Sequence, residues 1–347
     1  MSDRARRRVV VTGAAGLIGS ALVRQLNLEN VDDALIVDRL GTSEKWRHLV
    51  PLRFADYLEA EEFFARIASE PNAFGDVTEV YHLGACSSTT ERDATYLVQN
   101  NVRRSQEIAR WSIARGARFV YASSAATYGA RETGLREDLD PHSLRPLNMY
   151  GYSKHLFDLW MRDQGFLNRA AGLKYFNVYG PNEDHKGAMR SVVAKAFEGL
   201  QQRPAIQLFK SYRAGIGDGE QTRDFIYVKD AAAITTFAGR TPSVTGLLNV
   251  GSGQDRSWND LAHAVFAALG RETRIDYVEM PDELRGKYQY RTVAEVDKLR
   301  RAGWTTPATS LEDGIRDYVR SYLLTGTVLG AESDVAPSPL PTFSATR

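Results

Sequence analysis

The sequence predicts an α/β protein: a doubly wound parallel sheet with a smaller, mostly α domain beside it. Three observations carry that expectation. Strand-length apolar runs alternate with helical periodicity through the first half of the chain. A glycine-rich turn joins the first strand directly to the first helix. After Gly180-Pro181 the alternation gives way to shorter elements and more loops.

Arg8-Val9-Val10-Val11-Thr12 reads as a buried strand, and Gly13-Ala14-Ala15-Gly16-Leu17-Ile18-Gly19 follows at once. The run continues into a helix with apolar residues at Ile18, Leu22 and Leu26. Glycines here let the backbone turn tightly and approach a pyrophosphate, which the positive end of the helix then stabilises. A second strand over 34–37 ends in Asp38, nineteen residues after Gly19, where an acid suits an adenosine ribose. Together these features predict a Rossmann-type nicotinamide-dinucleotide site on Gly13, Gly16, Leu17, Ile18, Gly19 and Asp38. Arg39 and Lys45 favour a 2′-phosphate, hence NADP, with NAD as the alternative.

Further strands are expected at 52–55, 78–83 and 118–122, separated by helices near 61–68 and 93–115. Residues 172–176 and 247–250 continue the strands. Residues 213–221, with Gly215, Gly217 and Gly219, read as a mobile loop, and helical patterns return at 258–269 and 311–324. The expected division is a dinucleotide domain of 1–176 plus 224–252 and a substrate domain of 177–223 plus 253–325. Residues 326–347, with prolines and serines and few large apolar side chains, read as a disordered tail.

The 347 residues carry a net charge of +1, so nothing points to nucleic acid. The only basic run, Arg4 to Arg8, reads as a solvated terminus. No apolar stretch reaches membrane-spanning length, and Gly13, Gly16 and Gly19 interrupt any signal-peptide core after Arg6-Arg7-Arg8. The single cysteine, Cys86, excludes an internal disulfide and fits a reducing cytoplasm. No metal set is expected.

Tyr150 and Lys154 lie four residues apart, on one face if the segment is helical. An ammonium beside a phenol lowers its pKa and makes tyrosinate a usable base. The spacing alone arises readily by chance, so its context matters. Ser124, in the run Tyr121 to Gly129, follows a parallel strand and would point into the crevice where such sheets bind ligands. There it could align a substrate hydroxyl with the phenol; its plainer role is a helix cap.

With these residues quoted, the chain resembles the extended short-chain dehydrogenase/reductase family that modifies nucleotide sugars. The runs Gly84-Ala85-Cys86-Ser87-Ser88-Thr89-Thr90, Ser123 through Gly129, Asn148 through Lys154 and Phe176 through Pro181 narrow the likeness to its ADP-heptose 6-epimerases. So do His185-Lys186-Gly187, Arg223-Asp224-Phe225 and Gly286-Lys287-Tyr288-Gln289. The resemblance implies inversion at C6″ of ADP-D-glycero-D-manno-heptose to the L-glycero sugar of lipopolysaccharide core, with tightly bound NADP regenerated each turnover. It also implies a ring-like homo-oligomer such as a pentamer.

By the same resemblance, Tyr150 and Lys186 are two acid/base groups, supported by Lys154 and Ser124. Cofactor contacts extend to Gly84, Ala85, Cys86, Ser87, Asn100, Lys154, Val178 and Lys186. Substrate contacts fall on Ser124, Asn177, Ala188, Lys195, Phe209, Lys210, Ser211, Tyr212, Arg223 and Tyr288. The chain departs from the family pattern at Ala188, where serine is usual, at Lys195, where histidine is, and at Ala60, where a lysine is common. Cys86 reads as a small buried residue rather than a nucleophile.

Overall fold

We describe a computed structural model of the protein over residues 8–70, 72–285 and 288–331. The basic run before Arg8, Gly286-Lys287 and residues 332–347 lie outside the described residues.

The chain opens with β1 (Val9–Thr12), α1 (Leu17–Leu28), β2 (Leu35–Asp38), β3 (Asp56–Glu59), α2 (Ala60–Ser69) and β4 (Glu79–His82). A long helix follows in three parts: α3 (Ala94–Leu97), a π-helical stretch Val98–Arg103 and α4 (Arg104–Ala114). Then come β5 (Arg118–Ser124), α5 (Met149–Asp163) and β6 (Ala170–Tyr175). Beyond these lie β7 (Asn177–Tyr179), α6 (Val192–Gly199), β8 (Ile206–Phe209), β9 (Thr222–Tyr227), α7 (Val228–Arg240) and β10 (Gly246–Val250). The late elements are β11 (Asp255–Ser257), α8 (Trp258–Leu269), β12 (Ile275–Val278), α9 (Asp282–Arg285), β13 (Arg291–Thr292), α10 (Asp297–Arg301) and α11 (Leu311–Asp317).

Seven parallel strands form the main sheet in the order β10-β6-β5-β4-β1-β2-β3. All four residues of β1 are buried, as expected of a strand covered on both faces. The direction of winding reverses between β1 and β4, and such switch points open a ligand crevice at the strands' carboxyl ends. The turn after β1 and residues 84–87 after β4 therefore face the same space.

The expected strand at 52–55 is displaced to Asp56–Glu59. The apolar residues Leu52 and Phe54 drew the expectation, but both pack on the core from a loop. The edge strand itself is largely polar. The expected helix over 93–115 is continuous but carries the π stretch, which places Asn100 and Asn101 toward the crevice.

β9 pairs with β7, β11 and β13, and β8 pairs with β12. The expected domain boundary at 224 thus falls inside β9, a strand of the smaller sheet, and the return to the main domain begins with α7. Residues 213–221, expected to be mobile, are pinned: Ser211 N–H donates to Asp218 Oδ1 at 2.7 Å, Gly219 N–H to the Phe209 carbonyl at 3.2 Å, and Asn259 Nδ2 to the Asp218 carbonyl at 3.0 Å. The first residues of the expected tail, 326–331, are packed on the protein. Leu329 is buried within the α1, α8 and α11 core and donates its N–H to Asn182 Oδ1 at 3.0 Å.

Candidate active site

The turn after β1 is built for close approach. Gly13 has φ +72°, donates its N–H to the Val37 carbonyl at 2.8 Å and would place a Cβ 2.6 Å from Gly84 N. A Cβ on Gly19 would lie 1.9 Å from the Gly13 carbonyl oxygen, so neither position accepts a side chain. Gly16 caps α1 without a side-chain acceptor, leaving the first-turn N–H groups facing the crevice. This cradle fits a dinucleotide pyrophosphate.

Asp38 is heavily engaged. Its carboxylate accepts from Ala15 N–H at 2.7 Å, Arg39 N–H at 2.7 Å and Lys45 Nζ at 2.6 Å. Arg39 reaches Glu61 at 2.6 Å and bonds Asn100. These groups line a side cavity with Tyr96 and Arg104, continuous with the main crevice at Gly13, Asp38, Lys45 and Gly84.

The catalytic candidates come from three elements. β5 ends at Ser123-Ser124, where Ser123 Oγ donates to Asp158 at 2.7 Å and Ser124 Oγ accepts from Ala126 N–H at 3.1 Å. Ser124 is thus a cap as well as a candidate ligand. Asn148 caps α5 by accepting from Gly151 N–H at 2.8 Å, and a Cβ on Gly151 would lie 2.9 Å from the Ala126 carbonyl oxygen. That close approach lays the first turn of α5 on the turn after Ser124, so the phenol of Tyr150 is hydrogen-bonded to Ser124.

The expectation that Lys154 lowers the Tyr150 pKa needs correction. Burial raises the phenol above its ordinary value, and the Ser124 hydrogen bond offsets only part of that rise. The Lys154 ammonium is engaged elsewhere, donating to the Ala122 carbonyl at 3.0 Å. Burial brings Lys154 down to about 8, with the Asp158 carboxylate pulling it upward. Asp158 is itself buried, accepting from Tyr121 OH at 2.9 Å and from Lys174 Nζ at 3.0 Å.

Lys186 sits on the segment after β7, and burial depresses its pKa; Glu183 opposes the shift and Lys195 adds to it. A lysine with that depression can exchange protons nearer neutrality than a solvated one.

The main cavity holds about 830 Å³, at the upper end of small-molecule sites. Its wall joins Gly13, Gly16, Leu17, Ile18, Gly19, Gly84, Ala85, Cys86, Ser87, Ser124, Tyr150, Lys154, Asn177, Val178, Lys186 and Arg223. Arg223 stacks over Tyr288 at 5.0 Å and Trp258 at 5.6 Å, a fixed fork suited to a diphosphate. Asp224 fixes its strand by accepting from Ser252 N–H at 2.7 Å and from Gly253 and Ala294 N–H, both at 3.0 Å.

Other expected substrate residues stand back from this wall. Tyr288 lies behind Arg223, accepting from Trp258 Nε1 at 2.9 Å, and Phe209 packs edge-on against Tyr288 at 6.4 Å. Lys210 pairs with Glu279 at 2.8 Å, Tyr212 OH also bonds Glu279, and Ser211 bonds Asp218. Ala188 is exposed, and Lys195 is sensed only through its effect on Lys186. Residues the sequence reading passed over include Arg190, Trp258 and Gln289, all on the wall, and Asn101. Its amide holds Cys86 N–H and the Cys86 carbonyl, both at 2.9 Å, and Ser153 Oγ at 3.0 Å. Only the π stretch brings it there, and no sequence period signals that.

His48, Asp184 and His185 converge closely enough to suggest a cation site. Both ring nitrogens of His48 already lie against protein oxygens, the Ala15 carbonyl at 2.8 Å and Asp184 Oδ1 at 2.7 Å.

A phenol beside a serine can take the hydroxyl proton of a carbinol, and a nicotinamide held by the adjoining dinucleotide cradle would take its hydride, the province of nicotinamide-dependent enzymes. The chain belongs to the NAD dependent epimerase/dehydratase family, whose model matches residues 9–251. The ADP-L-glycero-D-manno-heptose-6-epimerase of Nitratidesulfovibrio vulgaris (strain DP4) is 51% identical over 316 residues, covering 90% of this chain and 97% of that protein. The like-named protein of Fusobacterium nucleatum is 41% identical over 91% of this chain and 98% of its own length. Among solved structures, the Helicobacter pylori ADP-L-glycero-D-manno-heptose-6-epimerase superposes with a TM-score of 0.76 at 25% identity, covering 92% and 96% of the two chains. The Thermus thermophilus UDP-glucose 4-epimerase, solved with NAD, superposes at 0.70 with 27% identity, covering 90% and 97%. The family and this relative support a nicotinamide cofactor. Among the described residues no helix is long and apolar enough to cross a membrane.

Proposed function

We propose that the protein is an isomerase that inverts C6″ of ADP-D-glycero-D-manno-heptose to give the L-glycero epimer used in lipopolysaccharide core synthesis. The observation that carries this reading is the opening of two separate proton-transfer groups, Tyr150 and Lys186, on one crevice beside the glycine cradle. A dehydrogenase needs one such group; inversion needs proton transfer on both faces of the carbinol carbon, or rotation past a single group.

A nicotinamide held on the glycine turn would supply the hydride acceptor and then the donor, so that the net reaction would consume no reductant. The rest falls to the chain. One group takes the C6″ hydroxyl proton as the ketone forms, and the other returns a proton to the oxygen when the opposite face is reduced. Ser124 holds that oxygen near the Tyr150 phenol. Lys154, donating to the Ala122 carbonyl, ties α5 to β5 and so places the Tyr150 phenol at the end of that strand. Arg223, backed by Tyr288 and Trp258, takes the diphosphate, and Asn177 borders the sugar.

NADP is the favoured cofactor. Lys45 neutralises Asp38 at 2.6 Å, which removes the repulsion a free carboxylate would offer a 2′-phosphate, and Arg39 and Arg104 line the same side cavity. Incubating the protein with ADP-D-glycero-D-manno-heptose, resolving the epimers by chromatography and identifying the nucleotide released on denaturation tests the reading. Failure to interconvert them refutes it.

A further inference from the structure

His48 is fully buried, and both of its ring nitrogens meet acceptors. Nδ1 lies 2.8 Å from the Ala15 carbonyl oxygen, inside the glycine turn, and Nε2 lies 2.7 Å from Asp184 Oδ1, two residues before Lys186. A carbonyl only accepts, and an ionised carboxylate only accepts. Asp184 is held below the usual carboxylate range, first by its hydrogen bond from His48, so it is ionised at neutral pH. The ring therefore bridges two oxygens, one on the glycine turn and one on the segment that carries Lys186.

The neighbourhood agrees. His185 meets His48 edge-on at 5.3 Å, and burial, followed by the nearby His48, brings His185 down to about 4, so it is neutral. Lys45 and Lys186 face His185, and on the His48 helix itself Glu44 pairs with Arg47 at 3.7 Å.

Two further ties sit beside this one. Asn182 Nδ2 donates to Ser20 Oγ at 3.0 Å, and Ser20 Oγ donates to the Gly16 carbonyl at 2.8 Å. Glu183 accepts from Ser191 N–H at 2.5 Å and Ser191 Oγ at 2.6 Å, closing the two ends of the segment that carries Lys186. Three consecutive residues thus fix that segment, and two of the three run to the cofactor turn.

We propose that His48 is a positioning residue for Lys186: its ring straps the glycine turn to Asp184, so that holding the dinucleotide and placing the second acid/base lysine become one event. This rests on the reading that Lys186 acts at the substrate carbon. A structural tie alone would hold the fold together without affecting turnover.

The test compares wild type with His48→Ala, Asp184→Ala and the conservative Asp184→Asn, whose amide oxygen can still accept from Nε2. In cofactor-free protein, amide hydrogen exchange over 184–190 should accelerate roughly tenfold in both alanine variants, the scale of a coupling between sites, and much less in Asp184→Asn. Release of bound NADPH, followed by its fluorescence, should quicken in parallel. Epimerisation kcat should fall roughly tenfold while KM for the nucleotide sugar stays within about twofold, with Asp184→Asn restoring most of it. Unchanged exchange over 184–190, or a kcat loss no larger than the loss of folded protein, would overturn the proposal. The exchange and release measurements need no sugar substrate. If wild type fails to epimerise while those two respond as expected, only the substrate assignment falls.

Discussion

Lys154 donates its ammonium to the carbonyl oxygen of Ala122 at 3.0 Å, tying α5 to β5 at the wall of the main cavity. A buried lysine whose folded-state pKa is near 8, against an ordinary 10.5, binds fewer protons folded than unfolded between those values. Stability therefore rises with pH across that window, and the penalty is fully present below pH 8. Lys154→Met should stabilise the protein at pH 7 by about 1–3 kcal/mol, allowing for the lost hydrogen bond, and the gain should fade toward pH 10.5. Epimerisation should fall at least about 100-fold. Urea melts of both proteins at pH 7 and pH 10 check this; a variant less stable than wild type at pH 7 contradicts it.

Tyr150→Phe and Lys186→Met should each lower kcat by at least roughly two orders of magnitude, the usual scale for general acid–base groups. Cofactor content should stay near wild type in Tyr150→Phe, since the cradle is untouched. Near-normal turnover in both variants would remove the two-base reading.

Lys45→Ala leaves Asp38 without its 2.6 Å counter-charge. Affinity for NADP should drop at least about tenfold, while affinity for NAD changes little or improves. Titrating both nucleotides into cofactor-stripped protein separates the two; equal losses would mean that Lys45 is only a structural partner of Asp38.

Asp158→Ala strands Lys174, whose side chain is 1% exposed and otherwise bonded only to Thr127 among the described residues. Breaking a buried pair by removing one partner costs about 3–5 kcal/mol. It also removes the carboxylate that pulls the Lys154 pKa upward, so the loss in denaturant midpoint should come with an acid-ward shift of any pH profile that reports Lys154.

The parts of this molecule visible in the sequence are those governed by short-range pattern. β1, the glycine turn, α1 and β2 announce themselves because a strand buried on both faces must be apolar and only glycine fits the turn. Ser124, Tyr150 and Lys154 were legible as residue types, but the state of Tyr150 was not: i,i+4 spacing cannot say that the Ala122 carbonyl takes the lysine. Edge strand β3 escaped because its outer face is solvated and Asp56 and Glu59 mask its period. Nothing in the sequence singles out His48; its significance comes from Asp184, 136 positions away.

Leu329 closes over the segment entered at Asn182, and Gly330 lies against Pro51, where a Cβ would come within 3.1 Å of the ring. Composition alone would set a truncation boundary at 325. Cutting there would strip a buried leucine from the core beside α1 and remove the donor to Asn182 Oδ1, loosening the Lys186 segment from a site remote in sequence. The packing around Asn182 therefore requires the chain through Gly330.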